Sequence, residues 1–121
     1  MKPLWKPQYE AVSAATALRK GQAVKLAAND NQVTAVTAAA DRVHGFADRA
    51  TDANADTQIY REGGEAIGYS AGAITKGAAL KINNDGDLEA TSTANDLCVG
   101  YALEAASDNS NFAFMFTRFK L

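Results

Sequence analysis

The chain repeats itself. Offset by about 55 residues, the segment Ala17-Leu18-Arg19-Lys20-Gly21-Gln22-Ala23-Val24-Lys25-Leu26 lines up with Ala73-Ile74-Thr75-Lys76-Gly77-Ala78-Ala79-Leu80-Lys81-Ile82. One residue of slippage later the match resumes, with Ala35 on Ala90, Ala39 on Ala94, Asp41 on Asp96, Gly45 on Gly100, Phe46 on Tyr101, Ala47 on Ala102 and Ala50 on Ala105. Two copies of one supersecondary unit, residues 10–63 and 64–121, follow a short arm, residues 1–9. A solenoid needs three or more repeats to bury its faces, so two copies favour one closed, pseudo-symmetric domain.

Within each copy the period is two. Val24 and Leu26, like Leu80 and Ile82, fall on one face, with Lys25 and Lys81 on the other, as in half-buried strands. Turn residues follow in both copies, Asn29-Asp30-Asn31 and Asn83-Asn84-Asp85-Gly86-Asp87, and each turn is expected to fold the chain back onto Gln32 to Thr37 or Leu88 to Thr91. Thr37 to Arg42 and Ser92 to Asp96 read as loops with an Asp near the end. Val43-His44-Gly45-Phe46-Ala47 and Cys98-Val99-Gly100-Tyr101-Ala102 carry a glycine inside a strand-like run, the mark of a bulge or a close backbone approach. Polar loops, Asp48 to Thr57 and Ala105 to Asn111, lead to last strands at Gln58 to Glu62 and Phe112 to Arg118. The Ala-rich segment Glu10 to Lys20 could favour helix by propensity. Its copy around Gly68 and Gly72 is too glycine-rich for that, so strand or extended chain is expected. The pattern points to an all-β fold, a small barrel or sandwich.

Composition limits how such a fold is stabilised. The 121 residues suit one domain, and Ala supplies nearly half of the 47% hydrophobic fraction. Leu, Ile, Val and Phe make up only about a fifth of the chain, a thin core. One Cys and one His exclude an internal disulfide and a Cys/His zinc cluster. Oligomerisation is the remaining source of stability. A net charge of −2 gives no basic field for a phosphate backbone, so no nucleic-acid partner is expected. No apolar run reaches membrane-spanning or signal-peptide length, and a soluble protein made in the cytoplasm is expected.

The search for chemistry returns little. Asn83-Asn84-Asp85-Gly86-Asp87-Leu88-Glu89 has oxygen ligands in a calcium-like order, but its flanks alternate as strands and a hairpin turn is the better reading. His44 has no second base, nucleophile or metal partner in its neighbourhood of sequence. Cys98, between Leu97 and Val99, reads as a buried core residue. Gly63-Gly64 lies at the junction of the copies and is expected to be a flexible connector. No catalytic, cofactor or metal site emerges, and an enzyme is not expected. Large apolar residues gather instead at the two ends. The arm, Met1 to Tyr9, holds both prolines and the only Trp. The last segment places Phe112, Phe114 and Phe116 on one face and Met115, Phe119 and Leu121 on the other. Leu4, Trp5, Tyr9, Phe119 and Leu121 are the residues expected to touch a partner or a neighbouring protomer.

The arm, the Lys-Gly-x-Ala-apolar-Lys-apolar run, the Asn-Asp-Gly-Asp turn and the Cys98-Val99-Gly100-Tyr101-Ala102-Leu103 strand together resemble the small capsid cement, or decoration, proteins of tailed bacteriophages. The similarity is closest from Ala73 to Phe116, and it departs at His44 and in the longer Asp48 to Thr57 loop. The resemblance implies a barrel or β-tulip-like topology and a virion protein on the capsid exterior. Its partner would be the major capsid protein, with neighbouring subunits bridged against internal DNA pressure. It further implies self-association, as a homotrimer on the shell or as a dimer, and needs no cofactor. A second class of reading is a β-rich binding module, either a head-fibre base or a glycan-binding domain with Tyr60, Tyr69 and Tyr101 as stacking candidates.

Overall fold

The structure, a computed structural model, describes residues 6–121. All ten of its regular elements are strands: β1 (Gln8–Ala14), β2 (Ala23–Leu26), β3 (Gln32–Ala35), β4 (Gly45–Ala47), β5 (Asp56–Arg61), β6 (Gly64–Tyr69), β7 (Ala79–Ile82), β8 (Leu88–Thr91), β9 (Leu97–Ala102) and β10 (Asn111–Lys120). The first five form a closed barrel in the order β1-β3-β2-β4-β5, and the last five a sheet in the order β6-β10-β9-β7-β8. The all-β expectation holds.

The two halves share one pairing plan. The hairpin β2–β3 (Val24↔Ala35, Lys25↔Thr34) returns as β7–β8 (Leu80↔Ala90, Lys81↔Glu89). The antiparallel pair β1–β5 returns as β6–β10. Even single bridges recur: Leu18↔Thr51 in the first half and Ile74↔Ala106 in the second. So do the left-handed residues, Gly21 with Gly77, Asn31 with Gly86, and Asn54 with Asn109. Only glycine and short polar side chains take that conformation at little cost, which is why turn chemistry made the repeat visible. In each loop an aspartate locks the chain. Asp41 accepts from Thr37 N–H, Ala38 N–H and Lys25 Nζ, each at 3.0 Å. Asp96 accepts from Thr91 Oγ1 and faces Lys81 Nζ at 3.4 Å.

Two cores result. Val12, Ala14, Leu18, Val24, Val33, Ala47 and Ile59 fill the first barrel. The larger core joins the halves: Phe112, Phe114 and Phe116 of β10 pack with Leu80, Leu88 and, from the first half, Phe46 and Val36. Phe46 stands edge-on to Phe114 and Phe116, with ring centroids 4.9 and 5.0 Å away. Each fully buried ring contributes about 1.5–3 kcal/mol of transfer free energy, so this aromatic group carries much of a thin core. Gly45 and Gly100 are the close approaches expected from sequence. A Cβ at Gly45 would lie 2.5 Å from Tyr60 O, and one at Gly100 would collide with Met115 O.

Several expectations need correcting. Leu26, placed by alternation on the buried face with Val24, is 65% exposed. It closes β2 just where the hairpin turns out of the barrel, and no described residue covers it. Gly63-Gly64 is a fixed turn rather than a flexible connector. Gly63 N–H donates to Phe116 O at 2.8 Å, and Gly64 is buried so tightly that a Cβ there would strike Lys6 O. Tyr9, assigned to the arm, lies inside β1 opposite Tyr60. The Phe row, which the sequence alone leaves open between core and partner surface, is internal core.

Candidate interaction surface

The exposed apolar residues of the second half gather where β10 ends and β9 begins. The ladder sets Phe119 opposite Cys98 and Lys120 opposite Leu97, after a register shift between Phe116 and Phe119. That shift turns the last residues away from the core. Leu121 N–H donates to Asp96 O at 3.0 Å, and Leu121 O accepts from Asn95 N–H at 2.8 Å. The final residue is therefore held in place, while its side chain is 41% exposed and neighbouring Leu97 is 76% exposed. Arg118 braces this corner against the first half. Its backbone N–H and its Nη1 reach Glu62 at 2.7 and 2.6 Å, its Nη2 donates to Val43 O, and its guanidinium covers Phe116.

Val43 belongs to an adjoining groove lined by Lys25, Leu26, Arg42, Val43 and His44. Its ionic groups are unevenly partnered. Lys25 is paired with Asp41, and His44 Nε2 lies 2.9 Å from Glu10 Oε1, which Arg61 Nη1 also reaches at 3.0 Å. Partial burial works to raise the Glu10 carboxyl, but the hydrogen bonds from His44 and Arg61 outweigh it and hold the group below its ordinary value. Arg42 has no ion-pair partner among the described residues. A second groove includes Lys81, Ile82, Glu89, Asn95, Asp96 and Leu97 of the second half, with Ala39 and Ala40 of the first. Its ionic groups are two carboxylates and one lysine, whereas those of the first groove are all basic.

Leu4 and Trp5 lie outside the described residues. Of the other expected contact residues, Phe119 is half-buried and Leu121 belongs to the corner. Tyr9 is 49% exposed at a separate place, leaning on Tyr60 with ring centroids 5.1 Å apart. The glycan candidates are not assembled into a cleft: Tyr60 is buried, Tyr69 carries the Arg19 guanidinium over its ring at 4.9 Å, and Tyr101 is half-buried on β9. Burial, and the nearby Asp96, push the Cys98 thiol up, which leaves it a core group rather than a nucleophile. No group of three or more metal-ligating side chains occurs among the described residues. Sequence reasoning missed Leu26, Leu97 and Arg42. Leu26 was hidden by its own strand pattern, and Leu97 offered only its position directly after a turn.

No protein-family model matches the chain, and no curated protein does. A solved structure, the head fibre gp8.5 N base of bacteriophage phi29, is similar to it with a TM-score of 0.72 and 17% sequence identity, over 96% of this chain and 98% of that one. At that identity the likeness is one of fold.

Proposed function

We propose that the chain is a structural protein of a bacteriophage head, seated on the outer face of the capsid. The observation that carries this reading is the near-complete mutual coverage with a head fibre base, joined to the sequence grammar of the decoration proteins. The surface supports it as well: four large apolar side chains, Tyr9, Leu26, Leu97 and Leu121, stand exposed on a chain otherwise poor in them. In this reading the work is binding rather than catalysis, the partners are the major capsid protein and further copies of the chain, and neither nucleic acid nor membrane is engaged. Repeated sites on a shell turn modest contacts into firm attachment.

Two roles share that seat. A cement protein bridges neighbouring capsid subunits, and a fibre base anchors a projecting structure; the fold likeness favours the base and the sequence grammar the cement. Purified chain mixed with undecorated, expanded capsids of its own phage is expected to pellet saturably at a fixed ratio to the major capsid protein. Bound cement should raise the temperature at which heads release DNA, and a base should leave that temperature unchanged. Absence of pelleting with well-formed shells contradicts both roles.

A further inference from the structure

Inside the molecule, the contact of one half's loop on the other half's hairpin is made in one direction only. The first half's loop packs beside the β7–β8 turn, where Ala39 N–H donates to Asn84 Oδ1 at 2.8 Å. Ala39 and Ala40 line one groove with Ile82, and Ile82 at the end of β7 is only 7% exposed. The repeat gives each of these residues a counterpart: Ala94 and Asn95 for the loop, Leu26 for Ile82, and Leu97 for Arg42. The reciprocal contact, second-half loop on first-half hairpin, is not made within the chain. Its two unmade sides hold the two most exposed large apolar residues described, Leu26 and Leu97.

We propose that a second copy of the chain completes this contact, the loop of residues 93–97 in one copy seating on the groove at Leu26 in the next. Charge favours that occupant. In the receiving groove Lys25 and His44 are held by Asp41 and Glu10, which leaves Arg42 without an ion-pair partner among the described residues, and on the incoming side two carboxylates, Glu89 and Asp96, share the single Lys81 beside Leu97. Leu97 would cover Leu26, removing the main apolar exposure of both sides, while Glu89 meets Arg42. The contact is heterologous, so successive copies are related by rotation. They form a ring if the rotation closes, with half-to-half contacts alternating within and between chains. The inference deepens the self-association named above, and it rests on that part of the reading.

Disulfide trapping tests it directly. Two single-cysteine variants are made in a Cys98→Ser background, Leu26→Cys and Leu97→Cys, both at exposed positions. Under mild oxidation at high protein concentration, a mixture of the two should give covalent dimers at least about tenfold more abundant than either variant alone, since only the mixture places a thiol on both sides of one contact. A charge swap gives a second readout. Arg42→Glu and Glu89→Arg should each lower self-association in sedimentation, and the double variant should restore it. Equal cross-linking by each variant alone, or a mixture that stays monomeric, overturns the proposal. Saturable pelleting of the same chain with capsids would then show that capsid seating stands without it.

Discussion

The two halves of the molecule solve one packing problem in opposite ways. In the first, the barrel closes on itself through a parallel ladder, Ser13↔Gln32 and Ala14↔Val33. In the second, the same seam is reduced to a single parallel bridge, Ser70↔Leu88. The first half supplies what is missing. Its Gly21 backs onto Gly68 of β6, where a Cβ would lie 2.7 Å from the Gly68 carbonyl carbon, and Ala23 N–H donates to Gly86 O beside β8 at 2.9 Å. The interiors differ to match. Where the first barrel holds Val12 and Ile59 in one core, the repeat places Gly68 and Phe114, and a Cβ at Gly68 would meet Leu88 first and then the Phe114 ring. Volume removed from one strand is returned on its neighbour. The first half is filled by its own side chains, and the second is completed by its partner, so a duplicated unit has become two interdependent ones.

That comparison can be broken at stated places. The largest effect is expected where backbone meets backbone. Gly100→Ala drives a methyl into the Met115 carbonyl with no flexible group to yield, and should cost about 3 kcal/mol or more in urea unfolding. A Gly100→Ala variant of unchanged midpoint would contradict the packing described. Next comes the exchange of volume. Gly68→Val alone should lose about 2 kcal/mol by overpacking against Leu88, and the double variant Gly68→Val/Leu88→Val, which copies Val12 and Val33 of the first half, should recover at least about 1 kcal/mol of it. Strict additivity in that double-mutant cycle would remove the claim that the two positions compensate.

Smaller effects sharpen the picture. Ser70, fully buried where the first half has Ala14, donates its hydroxyl to Ser107 O and accepts from Ser110 N–H at 3.0 Å. Ser70→Ala should cost about 1–3 kcal/mol by leaving buried groups unpaired, and amide exchange should quicken in residues 107–110 while residues 52–55 stay unchanged. The last prediction concerns acid. Hydrogen bonds from Thr37 and Lys25 hold Asp41 below its ordinary value of 3.8, and those from Thr91 and Lys81 do the same for Asp96. A carboxyl lowered on folding contributes stability that is present above the unfolded value and lost as pH falls through the folded one. Thermal midpoints should therefore drop below about pH 4, with Asp41→Asn and Asp96→Asn each flattening part of that fall. An acid limb unaltered in both variants would assign it to other groups.

Much of this was legible in the sequence, because the repeat is written in residues with few alternatives. Gly21 and Gly77, Asn31 and Gly86, Asp41 and Asp96 each answer a local demand of backbone or turn, and local demands survive translation into letters. What could not be read was how the halves meet. Nothing in β2 distinguishes Leu26 from Ile82 of β7, yet one stands bare and the other is covered, since burial there is decided by a loop from the other half. His44 shows the same limit: its partner Glu10 lies 34 positions away and comes beside it only when β1 closes the barrel. The Phe row could equally have served a partner or a core until Phe46 was seen to stand against it.

The functional reading meets its most direct test in electron cryomicroscopy of expanded heads reconstituted with the purified chain. Density for a two-lobed β module is expected on the outer surface, at fixed symmetric positions over the joins between capsid subunits. Heads whose outer surface stays bare at saturating protein would contradict the account.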